Sequence, residues 1–168
     1  MNRQKQIAGL LLTGVGLAIF LFSILWINSR QNEKKFALFN AAAEGDLEQV
    51  KLFVQQGALI NQQFQSTFGW TPLINAIFHD RTNVAYYLIR AGADVNLPDK
   101  SGKTPLIWAT SLGDEAVPLV KDLIAHGAIV DSKDNEGLTA LDCAYGSPPK
   151  PALIEALQAA EHSHAANH

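Results

Sequence analysis

Thr71-Pro72-Leu73-Ile74 occurs again as Thr104-Pro105-Leu106-Ile107, 33 residues further along the chain, and a weaker copy, Thr139-Ala140-Leu141-Asp142, follows after another 35. A Thr before a Pro favours the start of a helix, because the hydroxyl accepts from a free amide of the first turn while Pro has no amide to leave unsatisfied. We therefore expect a helix to begin at each copy, in a chain built from repeats of about 33 residues.

A Gly-Ala pair occurs at a similar spacing, at Gly57-Ala58, Gly92-Ala93 and Gly127-Ala128. The segments before these pairs have apolar residues at helical spacing, and Gly readily takes the positive φ at which helices end. Gly45-Asp46 and Gly113-Asp114 suit the turn between two helices for the same reason. Each unit is therefore predicted to be a pair of antiparallel helices, which is too small to bury its own apolar face and must stack on its neighbours.

These repeated residues resemble the ankyrin repeat family. The resemblance implies an all-α solenoid of about four helix-turn-helix units that are joined by finger loops. The segment from Gly57 to Thr71 is two residues longer than the segment from Gly92 to Thr104, so we place an insertion in the first finger loop. The repeat domain is predicted at 36–160, with units at about 36–70, 71–103, 104–138 and 139–160.

Residues 7–27 form an apolar block without a charged residue, and 16 of its 21 positions are hydrophobic. As a helix the block would rise about 31 Å, which matches the hydrocarbon thickness of roughly 30 Å. It ends in Leu25-Trp26-Ile27, without the small-residue cleavage site of a secretory signal peptide. We predict a basic tail at 1–6, a transmembrane signal anchor at 7–27 and a linker at 28–35. A cleaved signal peptide and a buried helix of a soluble protein stay open as alternatives.

The charges on the two sides of the apolar block decide its orientation only weakly. Arg3 and Lys5 precede it, whereas Arg30, Lys34 and Lys35 follow it, so the positive-inside rule is close to a tie. A signal anchor at the extreme amino terminus keeps its short tail in the cytoplasm. We therefore expect a single-pass membrane protein with a periplasmic soluble domain, while the reverse orientation, with the repeats in the cytoplasm, stays open.

The rest of the chain argues against several classes of function. Without Arg3 and Lys5, 11 of the 13 basic residues remain against 16 acidic ones, so there is no basic stripe to neutralise the phosphates of a nucleic acid. The one cysteine, Cys143, excludes an intramolecular disulfide and a multi-cysteine zinc site. No phosphate loop, nucleophile elbow or HExxH pattern occurs. We therefore predict no enzymatic activity, no cofactor, no metal, no nucleic acid and no small-molecule substrate.

The resemblance also implies where a partner protein would bind, namely at the finger tips and the exposed side of the first helices, which line one concave face. Aligning the units gathers aromatic side chains and cations there, a composition that interface hot spots favour. Any one of these aromatic residues fits the core equally well. The predicted partner-binding residues are Phe64, Phe68, Trp70, Phe78, His79, Arg81, Lys103, Trp108 and Leu112.

The predicted function is a non-enzymatic protein-protein interaction module that is tethered to the membrane, either as an immunity or inhibitor protein or as an envelope stress factor. The alternative is a metal-binding or redox-linked envelope protein that uses His79, Cys143 or the histidines at 162, 164 and 168. These last three belong to residues 161–168, which are otherwise predicted to form a flexible tail.

Overall fold

Antiparallel helix pairs, joined by finger loops, stack in a row in this protein. The structure is a computed structural model that describes residues 36–64 and 68–165. The helices of the four successive units are α1 (residues 36–44) and α2 (Leu47–Gln55), α3 (Pro72–Phe78) and α4 (Thr82–Arg90), α5 (Pro105–Ala109) and α6 (Val117–Ala125), and α7 (Ala140–Ala144) and α8 (Pro151–Ala165). Two short 3-10 turns, Thr110–Leu112 and Asp114–Ala116, join α5 to α6. This architecture confirms the all-α repeat fold that the two sequence markers predict.

The Thr residues of the repeated motif begin the first helices, as predicted. Thr71 accepts a hydrogen bond from the Ile74 N–H at 3.2 Å, and Thr104 makes the same bond in the third unit. In the fourth unit Thr139 and Asp142 cap each other, since the Asp142 N–H donates to the hydroxyl and the Thr139 N–H donates to the carboxylate. The Thr139 N–H, followed by the Thr139 hydroxyl, lowers the pKa of Asp142, so this carboxylate stays charged at neutral pH.

Stacking of the units creates one continuous apolar core. Helix α3 packs against α4 of its own unit and against α5 of the next one, and α5 in turn packs against α6 and α7. The leucines of the two Thr-Pro-Leu motifs, Leu73 and Leu106, are each only 1% exposed. The other large side chains that are completely buried are Leu38, Val50, Ile74, Ile77, Val84, Leu88, Leu119, Leu123, Leu153 and Leu157.

Hydrogen bonds between successive finger loops hold the units in register. The Lys100 N–H donates to the Phe68 carbonyl at 2.8 Å, and the Asn135 N–H donates to the Ser101 carbonyl at 2.9 Å. The side-chain amide of Asn135 donates to the Lys100 carbonyl at 2.9 Å. Each of these loops is therefore positioned by its neighbour as well as by its own helices.

A second series of bonds connects the loops that follow the outer helices. Asn61 accepts from the Asp94 N–H at 2.8 Å, and Asn96 accepts from the Ile129 N–H at 2.9 Å, 33 residues apart in both cases. Asn96 also donates to the Gly127 carbonyl at 2.8 Å. The side-chain amides of Asn61 and Asn96 thus bind backbone groups of the next repeat at the exposed edge of the stack.

The first finger loop is wider than the second. The Phe64 N–H donates to the Trp70 carbonyl at 3.0 Å, and the Asp99 N–H makes the corresponding bond to the Lys103 carbonyl, also at 3.0 Å. The hydrogen bond that closes the loop joins residues 64 and 70 in the first loop and residues 99 and 103 in the second. The two extra residues therefore lie inside the first loop. Residues 65–67 of this loop lie outside the described residues.

The closing helix is longer than predicted. We predicted that the last unit ends at residue 160 and that residues 161–168 form a flexible tail, but α8 continues to Ala165. The added turn contains two residues with high helix propensity, Glu161 and Ala165. In it, Nδ1 of His162 lies 2.6 Å from the Gln158 carbonyl one turn earlier. Residues 161–165 therefore belong to the helix, and residues 166–168 lie outside the described part of the chain.

Within residues 36–64 and 68–165, no helix is both long enough and apolar enough to cross a membrane. The longest described helix, α8, has 15 residues. The predicted basic tail at 1–6, anchor at 7–27 and linker at 28–35 lie outside the described residues.

Two glycines at the same position of successive finger loops allow the contact between loops to be tested. Gly102 and Gly137 have φ values of +80° and +83°. A Cβ on Gly102 would lie 2.8 Å from the backbone nitrogen of Asn135, whereas a Cβ on Gly137 would meet no described heavy atom within 4 Å. We expect Gly137→Ala to lower the free energy of unfolding by about 1–2 kcal/mol, the cost of the left-handed backbone.

Gly102→Ala should lower the free energy of unfolding by about 1–3 kcal/mol more than Gly137→Ala does, because the new methyl group displaces the next loop. Urea unfolding of the two variants, followed by circular dichroism beside the unchanged chain, measures both losses. Equal losses would contradict the claim that the finger loops stabilise one another.

Candidate binding surface

Four of the predicted partner-binding residues come together between the first finger loop and helices α3 and α5. The ring centroids of Trp70 and Phe78 are 4.5 Å apart, and both rings meet Trp108 edge-on at 5.5 Å. Phe68 lies 6.1 Å from Trp70. These distances are in the range at which aromatic pairs attract beyond their buried area. We call these four residues the aromatic cluster.

The aromatic cluster is only partly covered by the rest of the protein. Phe68 is 72% exposed and Phe78 is 45% exposed, while Trp70 and Trp108 are half-buried. Single exposed apolar residues are common on protein surfaces, but adjacent ones often mark an interaction site. The two phenylalanines therefore form the accessible part of the cluster, and the two tryptophans contribute both to its surface and to the packing between units.

Asp99 and Lys103 hold the indole of Trp108 in position. Trp108 Nε1 donates to one Asp99 oxygen at 3.0 Å, and Nζ of Lys103 lies 5.5 Å from the centroid of the Trp108 ring, within range of a cation-π interaction. The second Asp99 oxygen accepts from the N–H groups of Ser101 and Lys103 and from the Ser101 hydroxyl. A single buried carboxylate therefore fixes both the second finger loop and the orientation of Trp108.

Phe64 lies away from the aromatic cluster. It is 6% exposed, and its ring packs against Phe36 at 4.9 Å and Phe39 at 4.4 Å, both on α1. In the hydrogen bond that closes the loop, Phe64 takes the place that Asp99 has in the next loop. An apolar ring there turns into the core of the first unit instead of binding loop amides. We therefore remove Phe64 from the predicted partner-binding set.

Arg81 is also a predicted partner-binding residue, but the structure gives it a role in packing. Its Nε donates to the Ala43 carbonyl at 3.0 Å, near the end of α1, where helix carbonyls lack partners within the helix. A Cβ on Gly45 would lie 2.7 Å from the Arg81 side chain, so only a glycine there admits this approach. Arg81 therefore connects the second unit to the first, and none of the described ring contacts includes it.

His79 and Leu112 border the aromatic cluster differently. His79 follows the last residue of α3, is exposed, and its ring meets Phe78 edge-on at 5.1 Å. Leu112, in the 3-10 turn after α5, is half-buried and packs against the core. His79 therefore extends the exposed surface, whereas Leu112 mainly supports it from the core.

The fourth unit has Cys143 at the position that Trp108 occupies in the third. Asp134 repeats the loop bonds of Asp99, because one of its oxygens accepts from the N–H groups of Glu136 and Leu138. Its other oxygen, which has no indole to bind, finds no donor among the described residues. Burial raises the pKa of the Cys143 thiol and the Asp134 charge raises it further, which opposes formation of the thiolate needed for redox chemistry or metal binding.

The metal-binding alternative gains no support from the described residues. They contain no group of three or more His, Cys, Asp or Glu side chains that could hold a metal ion. His79 contacts an aromatic ring, and the described contact of His162 is with its own helix. The side chains of His164 and His168 lie outside the described part of the chain.

Comparison with known proteins relates this geometry to a family. A family model described as ankyrin repeats (3 copies) matches residues 11–99 and 87–159. The first of these matches begins upstream of residue 36, where we place the start of the repeats. Ankyrin repeats are in general protein-interaction modules and not enzymes.

Several known proteins are similar to the chain over part of their length. Ankyrin repeat and SAM domain-containing protein 6 of Rattus norvegicus is 37% identical over 100 residues, which cover 60% of this chain and 11% of that protein. Transient receptor potential cation channel subfamily A member 1 of Homo sapiens is 30% identical over 159 residues, which cover 74% of this chain and 14% of that protein. RelA-associated inhibitor of Mus musculus is 36% identical over 107 residues, which cover 62% of this chain and 12% of that protein.

The chain spans between 11% and 14% of the length of these relatives, so the similarity concerns one segment of each and not its whole activity. What they share with the chain is the repeat itself. From the family match, the repeated capping motif and the stacked helix pairs, we conclude that the chain belongs to the ankyrin repeat family.

Proposed function

We propose that this protein is a non-enzymatic binding module that captures another protein through the aromatic cluster and the neighbouring His79 and Lys103. The observation that carries the proposal is the exposure of Phe68 (72%) and Phe78 (45%) on top of two half-buried tryptophans. A Phe side chain that becomes fully buried gains about 1.5–3 kcal/mol. Two exposed rings that both contact Trp70 therefore supply enough apolar surface for the centre of an interface.

The cluster is also held in place before any partner arrives. Trp108 is fixed by its hydrogen bond to Asp99, and Phe68 is anchored through its carbonyl, which accepts from the Lys100 N–H. A surface that is already ordered loses less conformational entropy on binding, so more of the contact energy appears as affinity. This rigidity supports binding through the finger loops without a folding step.

We further propose that residues 7–27 tether the repeats to a membrane as a signal anchor, with the soluble domain in the periplasm. The support is the length of the uncharged apolar block, which matches a bilayer core of about 30 Å. Tethering confines the binding surface to the membrane, which raises its effective concentration toward partners there.

Two roles fit a tethered binding surface of this kind. An immunity or inhibitor protein would cap a toxic enzyme that reaches the envelope, and an envelope stress factor would bind a component that stress exposes. Both roles need the same exposed aromatic cluster, and the identity of the captured partner separates them. In the metal-binding or redox-linked alternative, which uses His79, Cys143 or the tail histidines, the Cys143 route would need a thiolate, which burial and Asp134 disfavour.

Removal of the two exposed phenylalanine rings should abolish capture and leave the fold intact. Each ring contributes about 1.5 kcal/mol, or tenfold in affinity, so Phe68→Ala combined with Phe78→Ala should weaken binding about a hundredfold. Affinity capture from native membranes with the tagged full chain, quantified by mass spectrometry, measures the loss. The thermal midpoint should fall by a few degrees at most, because neither ring is buried.

Ile129→Ala is the matched control, since Ile129 is 51% exposed but lies in the loop after α6. This variant should capture the same partner as the unchanged chain. Equal capture by both variants would contradict a binding role for the aromatic cluster.

If the soluble domain lies in the periplasm, a reporter protein fused after His168 should be active only when it is of a type that functions in that compartment. Alkaline phosphatase, which needs disulfides that form in that compartment, should be active in the fusion. The same fusion without residues 7–27 should be inactive, because the chain would then stay in the cytoplasm. Phosphatase inactivity in the full-length fusion, together with fluorescence of a cytoplasm-dependent reporter, would overturn the proposed orientation.

A further inference from the structure

Among the described residues, no carboxylate lies within salt-bridge distance of the cation beside the aromatic cluster, Lys103. Nζ of Lys103 lies over the Trp108 ring at 5.5 Å, and none of the salt bridges among the described residues includes Lys103. The nearby carboxylate of Asp99 is 6% exposed, and both its oxygens already accept hydrogen bonds within the finger loop. None of the described salt bridges joins the Lys103 ammonium to this carboxylate, which is withdrawn from the surface.

Two further lysines extend this positive character toward the fourth unit. Nζ of Lys150 lies 3.5 Å from the Cys143 carbonyl on α7, and the charge of Lys133 contributes to the lowered pKa of Asp142 on the same helix. Asp142 itself is bound to Thr139 at the start of α7.

The acidic groups of the same stretch differ in accessibility. Asp134 is 6% exposed and binds the backbone of the third loop, so it resembles Asp99 in being withdrawn from the surface. Glu136 and Asp142 are exposed and offset the charges of Lys133 and Lys150. Lys103, which is half-buried, is therefore the cation that remains next to the exposed apolar rings.

We propose that the partner segment bound on this surface is acidic as well as apolar: an apolar side chain lies on Phe68 and Phe78, and an Asp or Glu a few residues away pairs with Lys103. This inference rests on the proposed function, because it names the chemistry of the partner that the aromatic cluster captures. Its basis is the juxtaposition of exposed rings with a lysine that has no described carboxylate partner.

Both attraction of an acidic segment and repulsion of a basic one favour an acidic partner on this surface. A carboxylate that reaches Lys103 forms a charge-assisted hydrogen bond, which is stronger beside apolar rings than in open water because the rings exclude solvent. A basic segment would instead bring a second cation next to Lys103, and Asp99 is too buried to pair with that cation directly. Repulsion of the wrong partner contributes to specificity as much as attraction of the right one.

Two synthetic peptides that differ only in charge test the inference. Both carry a central Phe in a nine-residue Gly-Ser background, with three Glu in one peptide and three Lys at the same positions in the other. Binding to the full chain in neutral detergent is followed by tryptophan emission at low salt, where exposed charges are least screened. The acidic peptide should bind at least tenfold more tightly than the basic one.

Charge reversal at Lys103 should reverse this preference. In Lys103→Glu the basic peptide should bind more tightly, and in Lys103→Gln the preference should shrink without reversal. Lys121→Glu is the matched control, because it makes the same change of charge at an exposed position of the outer helix α6 and should keep the preference of the unchanged chain. Circular dichroism of each variant shows whether its helices are retained.

Equal binding of the two peptides, or a preference for the basic one, would overturn the inference and leave the proposed function in place. Binding of neither peptide would also overturn it, and the capture experiment with Phe68→Ala and Phe78→Ala then shows separately whether the proposed function survives. Binding to phosphatidylglycerol vesicles that depends on Lys103, without a preference between the peptides, would assign this surface to an anionic membrane instead and would overturn the inference as well.

Discussion

Contact between neighbouring units is the constraint on which the rest of this structure depends. A pair of helices with only five to nine residues each, such as α5 and α6, cannot bury its own apolar side, so every unit needs the next one to complete its core. Hydrogen bonds between finger loops and between the Asn61 and Asn96 loops fix the relative position of the units. The stack therefore determines which side chains remain exposed, and the aromatic cluster is one outcome of this packing.

The same contacts explain why the cluster is ordered although it lies at the surface. Trp70 comes from the first finger loop, Phe78 from the end of α3 and Trp108 from α5, so the cluster exists only when two units are stacked. Asp99 then couples the loop to Trp108 through bonds from both of its oxygens. The two tryptophans thus contribute both to stability and to the proposed binding surface, whereas Phe68 and Phe78 contribute mainly accessible surface.

Local signals in the sequence were sufficient for the fold, while contacts between distant residues were not predictable. A Thr cap bonds three residues ahead, so Thr71 and Thr104 could be identified from their immediate context. Arg81, in contrast, bonds a carbonyl 38 residues earlier, and Asp114 caps the start of α8 through amides 38 and 39 residues later. Aligning the repeats brought four aromatic residues together correctly, but the burial of Phe64 depends on rings in α1 that carry no repeat signal.

Photochemical crosslinking in living cells tests most directly whether the aromatic cluster is the binding surface. A benzoylphenylalanine placed at Phe68 or at Phe78 should form an adduct with one and the same partner, because both rings lie on the proposed surface. The same group at Ile129, whose 51% exposure lies between those of Phe78 and Phe68, should form none with that partner. An adduct at Ile129 together with none at Phe68 and Phe78 would contradict this account and place the interface on the loop after α6.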